Sequence, residues 1–324
     1  MTGEAGIIRA GFAQIAPAWL DRKATLEKVQ DTVVQAADES VQLLAFGEAL
    51  VPGYPFWPEL TEGAKFESDV QKDLFAYYAE QAVDIGGGGL DSLCALAGQR
   101  HIAVYLGCIE RATDRSAHSL YASLVYIRPD GTVGSVHRKL CPTHEERLVW
   151  SPGDGHGLRV HELNDFRVGG LNCWENWMPL PRSALYAQGE NIHIAVWPGS
   201  RRNTHDITRF IAREGRSFVI SACALMHRDW IPDDLPHADI IAAQAGNNDN
   251  PWMADGGSCI AGPDGRWIIE PQTETETMQY ADLDLHEVYR ERQNFDPAGH
   301  YSRPDVTQLV VDRTRQNTVT FEDG

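Results

Sequence analysis

This chain contains no apolar run approaching the ~20 residues that a bilayer-spanning helix requires. A transmembrane anchor is therefore not expected. It also has no Cys-x-x-Cys pair: its six cysteines, at 94, 108, 141, 173, 223 and 259, stand far apart. That spacing argues against a zinc ribbon or a disulfide framework, and reduced thiols in a cytoplasmic protein are the expectation. The 12 histidines are scattered without a His-Glu-x-x-His motif, so no resident metal is expected. Neither a Gly-x-Ser-x-Gly elbow nor a dinucleotide glycine fingerprint occurs, and no cofactor is expected. Positive charge is scarce: 28 Lys and Arg face 46 Asp and Glu, for a net charge of −18. Nucleic acid and anionic membranes attract basic surfaces, so neither is expected as a partner. An early acidic Glu4 and a strand-like segment from Ile7 to Ile15 argue against a secretory leader.

What is present is an alternation of strand and helix patterns without a linker, a low-complexity stretch or an internal repeat. The 324 residues read as one large α/β domain. Strands are expected at 7–13, 43–46, 102–109, 120–127, 132–138, 157–162, 166–172, 192–196, 218–223, 258–261, 267–270 and 279–283. Helices are expected at 21–39, where Asp21 is a plausible N-cap and Leu26, Val29, Val33 and Ala37 repeat at helical spacing. Others fall at about 67–83, 90–99, 180–189, 203–214 and 285–292. Gly86 to Gly89 has no preceding strand and no following Lys-Ser/Thr, so it reads as a turn rather than a phosphate loop. So many strands, several of them meandering, point to stacked sheets covered by helices.

Three apolar runs stop at an ionisable residue. Val41–Gly47 ends at Glu48, Gly134–Arg138 at Lys139, and Phe166–Asn172 at Cys173. Strand ends are where α/β folds present reactive groups. Taken singly, Glu48 reads as a solvated carboxylate and Lys139 as a surface amine. Taken with Cys173 they form a chemical set: a carboxylate can deprotonate a thiol, and an ammonium lowers a thiol pKa and steadies negative charge on a substrate atom. Cys94, Cys108, Cys223 and Cys259 lie in apolar runs and read as buried thiols, while Cys141 sits in a polar loop.

These residues stand inside longer motifs. They are Gly47-Glu48-Ala49 with Pro52-Gly53-Tyr54-Pro55; Arg138-Lys139-Leu140 with Pro142-Thr143-His144 and Glu146-Arg147; Cys173-Trp174-Glu175-Asn176 with Met178-Pro179-Leu180; and Gly299-His300-Tyr301-Ser302-Arg303-Pro304-Asp305-Val306. In this order they resemble the nitrilase branch of the carbon–nitrogen hydrolase superfamily, over residues 7 to 306. Two departures are Leu50, where relatives often carry an aromatic, and Trp150-Ser151-Pro152-Gly153-Asp154-Gly155, where a Trp-Gly-x-Gly-Asp-Gly is more usual.

The resemblance implies a four-layer α-β-β-α sandwich over 1–306, a short tail over 307–324, and pairing into an αββα-αββα dimer or a larger, spiral homo-oligomer. It implies hydrolysis of a small-molecule nitrile by water, with Glu48 as general base, Lys139 as charge stabiliser, Cys173 as nucleophile and Glu146, rather than Glu145, as a second active-site glutamate. Tyr54, Trp177 and Trp197 are candidates for an apolar pocket wall. Trp174 joins them as a substrate-binding candidate, its backbone N–H facing developing negative charge. An amidase, a carbamoylase or a cyanide-hydrolysing relative would use the same three groups, and a binding protein on an inactive hydrolase fold is the alternative of a different class. Glu175 and Arg182 read as structural ion-pair partners.

Overall fold

The computed structural model describes residues 6–246, 250–320 and 322; the early acidic residue Glu4 lies outside them. The first half of the chain runs β1 (Ile7–Gln14), α1 (Arg22–Asp38), β2 (Leu43–Phe46), α2 (Trp57–Leu60), α3 (Asp69–Gln81), α4 (Asp91–Arg100), β3 (Ala103–Arg111), β4 (Leu120–Ile127) and β5 (Val133–Arg138). It continues through β6 (His161–Leu163), β7 (Phe166–Asn172), α5 (Pro179–Tyr186), β8 (Ile192–Trp197), α6 (Arg201–Gly215) and β9 (Phe218–Cys223). Last come β10 (Leu225–His227), α7 (Ala238–Gln244), β11 (Trp252–Ala261), β12 (Trp267–Thr273), β13 (Thr277–Asp284) and α8 (Leu285–Arg292).

Among the described residues the strands form two sheets. One has the order β13-β1-β2-β3-β4-β5, and the other β10-β11-β9-β8-β7-β6 with β12 paired to β11. The centre of each is parallel, β1 with β2 and β3 in the first and β7 with β8 and β9 in the second. The strand period of two sorts side chains onto faces. Ile8, Ala10 and Phe12 of β1, Leu43 and Ala45 of β2, and Tyr105 of β3 meet Val168 of β7, Ile192, Ile194 and Val196 of β8, and Ile220 of β9 in one buried core between the sheets.

The alternate residues face outward under helices. Leu44, Phe46, Val104 and Leu106 pack with Val29, Val33 and Ala36 of α1 and Leu93 and Ala97 of α4. Ala195, Trp197 and Val219 pack with Ile207, Ile211 and Ala212 of α6. Each such fully buried branched side chain contributes about 1.5–3 kcal/mol of hydrophobic stabilisation. The result is the α-β-β-α order of layers expected from the sequence. Among the described residues no helix is long and apolar enough to cross a membrane.

Asp21 caps α1 as expected, its carboxylate accepting the Ala24 N–H at 2.9 Å. The expected strand at 157–162 is instead a short 3₁₀ turn at Gly155–Gly157 followed by β6. Asp154 causes the turn by accepting the His156 N–H. Helix α3 starts only at Asp69, because Glu67 adopts a left-handed φ of 58° and Ser68 is extended. β10 and α7 were not expected, and β11 begins six residues before the expected Ser258, at Trp252. Beyond α8 the described residues form no helix or strand; Arg315 and Gln316 return to Asp154, with Arg315 Nη1 donating at 2.9 Å.

Candidate active site

Four of the expected residues meet, Glu48, Lys139 and Cys173 at the ends of strands from both sheets and Glu146 on a short turn beside them. Glu48 follows β2, where the chain tucks against the other sheet: a Cβ on Gly47 would sit 2.6 Å from the Ala224 nitrogen, and the Glu48 N–H donates to the Trp197 carbonyl at 3.1 Å. Lys139 follows β5 and extends its ladder, donating its N–H to the Ala122 carbonyl. Beside it, Arg138 is held by a buried bidentate pair with Glu110, at 2.8 and 2.7 Å. Cys173 follows β7. Ala49, His144 and Cys173 all have left-handed φ angles, 52°, 46° and 46°, an uncommon conformation for residues with a side chain that clusters at functional sites.

Two 3₁₀ turns, His144–Leu148 and Cys173–Trp177, complete the arrangement. Each is closed by a glutamate three residues after the residue preceding the turn. Glu146 Oε2 accepts the Thr143 N–H at 2.6 Å, and Glu175 Oε2 accepts the Asn172 N–H at 2.9 Å. Thr143-x-x-Glu146 and Asn172-x-x-Glu175 were thus readable capping signals that the strand-and-helix pattern passed over. Glu175 does more than close its turn. Fully buried, it also accepts the Leu140 N–H and pairs with His137 Nε2 at 3.0 Å. One carboxylate therefore ties the segment holding Lys139 to the segment holding Cys173.

Lys139 Nζ lies 2.9 Å from Glu48 Oε1 and 2.6 Å from Glu146 Oε2. The Glu48 contact is a close approach rather than an aligned hydrogen bond, and neither Glu48 oxygen has a hydrogen-bond partner among the described residues. Tyr54 Oη donates to Glu146 Oε1 at 2.9 Å. A carboxylate oxygen of each glutamate and Cys173 Sγ lie within 4.8 Å of one another. Such a trio has the donor chemistry of a cation site, and the cation between its carboxylates is the Lys139 ammonium.

Glu48, Lys139, Glu146 and Cys173 are all at most 2% exposed. Burial pushes the Glu48 carboxyl up to about 8, with Lys139 pulling down and Glu146 pushing further up. Burial also holds the Cys173 thiol well above its usual range; Lys139 and the Trp174 backbone N–H oppose this, and Glu48 and Glu146 add to it. Burial alone would favour neutral Lys139, but Cys173, Glu48 and Glu146 outweigh it and its pKa is raised. The set therefore joins an ammonium to a carboxyl of raised basicity and a thiol that holds its proton tightly.

Of the pocket candidates, Tyr54 joins the cluster, standing edge-on to Trp150 with 5.5 Å between ring centroids. It also lines a cavity of about 590 Å³ with Phe56, Pro198, Arg202, Asn203 and Trp252. Trp174 and Trp177 point elsewhere: their rings stack on each other at 6.3 Å and are 47% and 44% exposed. Trp197 lies wholly in the packing beneath α6, where period two of β8 sends it together with His193 and Ala195. Arg182 pairs with Glu214 at 2.7 Å and donates to the Asn176 carbonyl, a structural role. All six cysteines are free.

A family model described as "Carbon-nitrogen hydrolase" matches residues 9–293. A protein named nitrilase 2, from an unknown prokaryotic organism, is 38% identical over 99% of this chain and 98% of its own length. A bifunctional nitrilase/nitrile hydratase from Lupinus angustifolius is 35% identical over 97% of this chain and 88% of its own. Among solved structures, a carbon–nitrogen hydrolase from Helicobacter pylori superposes with a TM-score of 0.67 at 21% identity, covering 92% of this chain and 96% of that one. The two-sheet fold and the near-full-length sequence likeness agree: this chain belongs to the carbon–nitrogen hydrolase family, in its nitrilase branch.

Proposed function

We propose that this protein hydrolyses an organic nitrile to the carboxylic acid and ammonia, with Cys173 as nucleophile, Glu48 as general base, Lys139 as charge stabiliser and Glu146 as a second carboxylate of the site. The observation that carries this reading is the convergence of a buried thiol, two carboxylates and an ammonium, drawn from both sheets, in a chain of the nitrilase branch. Glu48 takes the Cys173 proton, the thiolate adds to the nitrile carbon, and the nitrogen receives the proton, giving a thioimidate. Water adds to the C=N carbon, a carboxylate taking its proton. Loss of ammonia from the tetrahedral species leaves a thioester, which a second water hydrolyses to the acid and free Cys173. Lys139 and the Trp174 N–H face the negative charge that develops in these steps.

Expulsion of Cys173 from the same tetrahedral species would release an amide instead, and the name of the lupin relative favours some amide product. Ammonia, acid and amide are measured with matched nitriles and amides, both aliphatic and aromatic. Turnover of nitriles is expected to exceed that of the matched amides; a strong amide preference would overturn this reading in favour of an amidase.

The protein is further proposed to act as a homodimer or larger homo-oligomer. Trp174, Trp177, Met178, Leu180 and Phe210 leave apolar surface exposed on the 3₁₀ turn after Cys173, on α5 and on α6. A second copy is the partner this reading assigns to that surface. Light scattering is expected to give at least twice the 36.0 kDa chain mass, and a monomer at working concentration would refute the assembly.

A further inference from the structure

Beneath the cluster lies a second buried network that the proposed chemistry does not use. Asn176, Glu190 and His193 are all completely buried. Asn176 Nδ2 donates to two backbone carbonyls, Cys173 at 2.9 Å and Leu171 at 3.2 Å. Its two N–H groups are thereby matched to two acceptors that bracket Asn172, at the entry to the left-handed turn of Cys173. On its other side, Asn176 Oδ1 stands 2.8 Å from His193 Nε2. His193 Nδ1 faces the Glu190 carboxylate, 3.0 and 3.1 Å from its two oxygens. Room for that carboxylate exists because position 169 is glycine; a Cβ there would lie 2.3 Å from Glu190 Oε1.

Hydrogen-bond accounting orients the amide and places one ring proton. Were the amide turned over, its oxygen would face two carbonyl oxygens, so Nδ2 belongs on the Cys173 side and Oδ1 on the His193 side. An acceptor at Oδ1 requires a proton on Nε2, and the Glu190 carboxyl, almost equidistant from Nδ1 with both oxygens, supplies the counter-charge for a second proton there. The other titratable groups bearing on Glu190 are Tyr105, Tyr186 and Arg292. Arg292 also donates to the Glu190 backbone carbonyl.

We propose that His193 is held as an imidazolium by Glu190 and, through Nε2–H, locks the Asn176 amide so that it fixes the Cys173 backbone. Asn176, His193 and Glu190 are then positioning residues for the nucleophile. This rests on the reading of Cys173 as the nucleophile only for its kinetic consequence; the protonation state of His193 is independent of it.

The test begins with the wild-type protein labelled with ¹⁵N-histidine, the His193 signals being those lost in His193→Gln. Both ring nitrogens are expected in the protonated range at neutral pH; a neutral ring overturns the proposal whatever the kinetics show. In ammonia release from a simple nitrile, His193→Leu is expected to lower kcat by ~10²-fold, the scale of loss for a displaced reacting group, with KM within about threefold. His193→Gln keeps a donor for Asn176 Oδ1 and is expected to recover roughly tenfold of that loss. Equal kcat values for the two variants, at matched urea midpoints, would also overturn the proposal. Should Cys173→Ala keep full activity, the nucleophile reading fails while the ¹⁵N result still stands.

Discussion

Titration of Glu48, the proposed base, is a direct probe of the site. With its carboxyl raised to about 8, Glu48 is ionised in roughly one molecule in ten at pH 7 and nine in ten at pH 9. The Cys173 thiol, also raised by burial, keeps its proton over this range, and in the proposed mechanism Glu48 is the base that takes it. The expectation is a kcat/KM for ammonia release that rises roughly tenfold from pH 7 to pH 9, with an apparent midpoint near 8 belonging to the coupled site as a whole. An uncharged aliphatic nitrile keeps the substrate from contributing a titration. Glu48→Gln is expected to remove the rise and ~10²–10⁴-fold of the rate.

Stability carries the same signature with the opposite sign. Below about 4.5 Glu48 is protonated in both states; between there and about 8 the folded protein keeps the proton that the unfolded chain has released. The folded state binds more protons in that window, so the Glu48 contribution to stability is lost as pH rises towards 8, and Glu48→Gln should flatten that part of the urea-midpoint curve. A kcat/KM profile flat from pH 6 to 9, or one with its midpoint near 4.5, would refute the assignment of a buried, strengthened base.

Three other substitutions test the surrounding structure. Lys139→Met leaves Glu48 and Glu146 buried without their shared ammonium; a loss of ~3–5 kcal/mol in urea unfolding is expected, smaller at pH 6 than at pH 8.5, and an unchanged midpoint would refute the pairing. Tyr54→Phe removes the hydroxyl that donates to Glu146 at 2.9 Å and should cost ~1.5–3 kcal/mol, read in the same assay. Gly169→Ala brings a Cβ to 2.3 Å from Glu190 Oε1 in a space with no exposure. A loss of ~1–3 kcal/mol in thermal unfolding is expected, and an unaltered Tm would mean that the carboxylate moves aside freely.

The sequence carried the central strands because, buried on both faces, they read as unbroken apolar runs: Leu43 and Ala45 face one way, Leu44 and Phe46 the other. The same period places Trp197 with His193 and Ala195, away from the inner face, although its aromatic character alone suggests a pocket wall. The rings of Trp174 and Trp177 are exposed for a related reason. A 3₁₀ turn brings residues three apart onto one side, and here that side is the surface. Glu48, Lys139 and Cys173 were legible as strand ends, but their mutual distances were not, because they depend on stacking of two sheets whose strands are far apart in sequence. The role of Glu175 in joining Leu140 to Asn172, and the Asn176–His193–Glu190 network, required those distances. The boundaries that shifted, at 157–162 and before Ser258, are places where a side-chain cap or an extended edge pairing overrides local pattern.

The central claim is that Cys173 forms the covalent bond to substrate. Protein mixed with a nitrile, quenched in acid within the first turnovers and digested, is expected to carry a thioimidate or acyl mass on the peptide containing Cys173, and Cys173→Ala is expected to carry no adduct and release no ammonia. Ammonia release by Cys173→Ala at the wild-type rate would contradict the account.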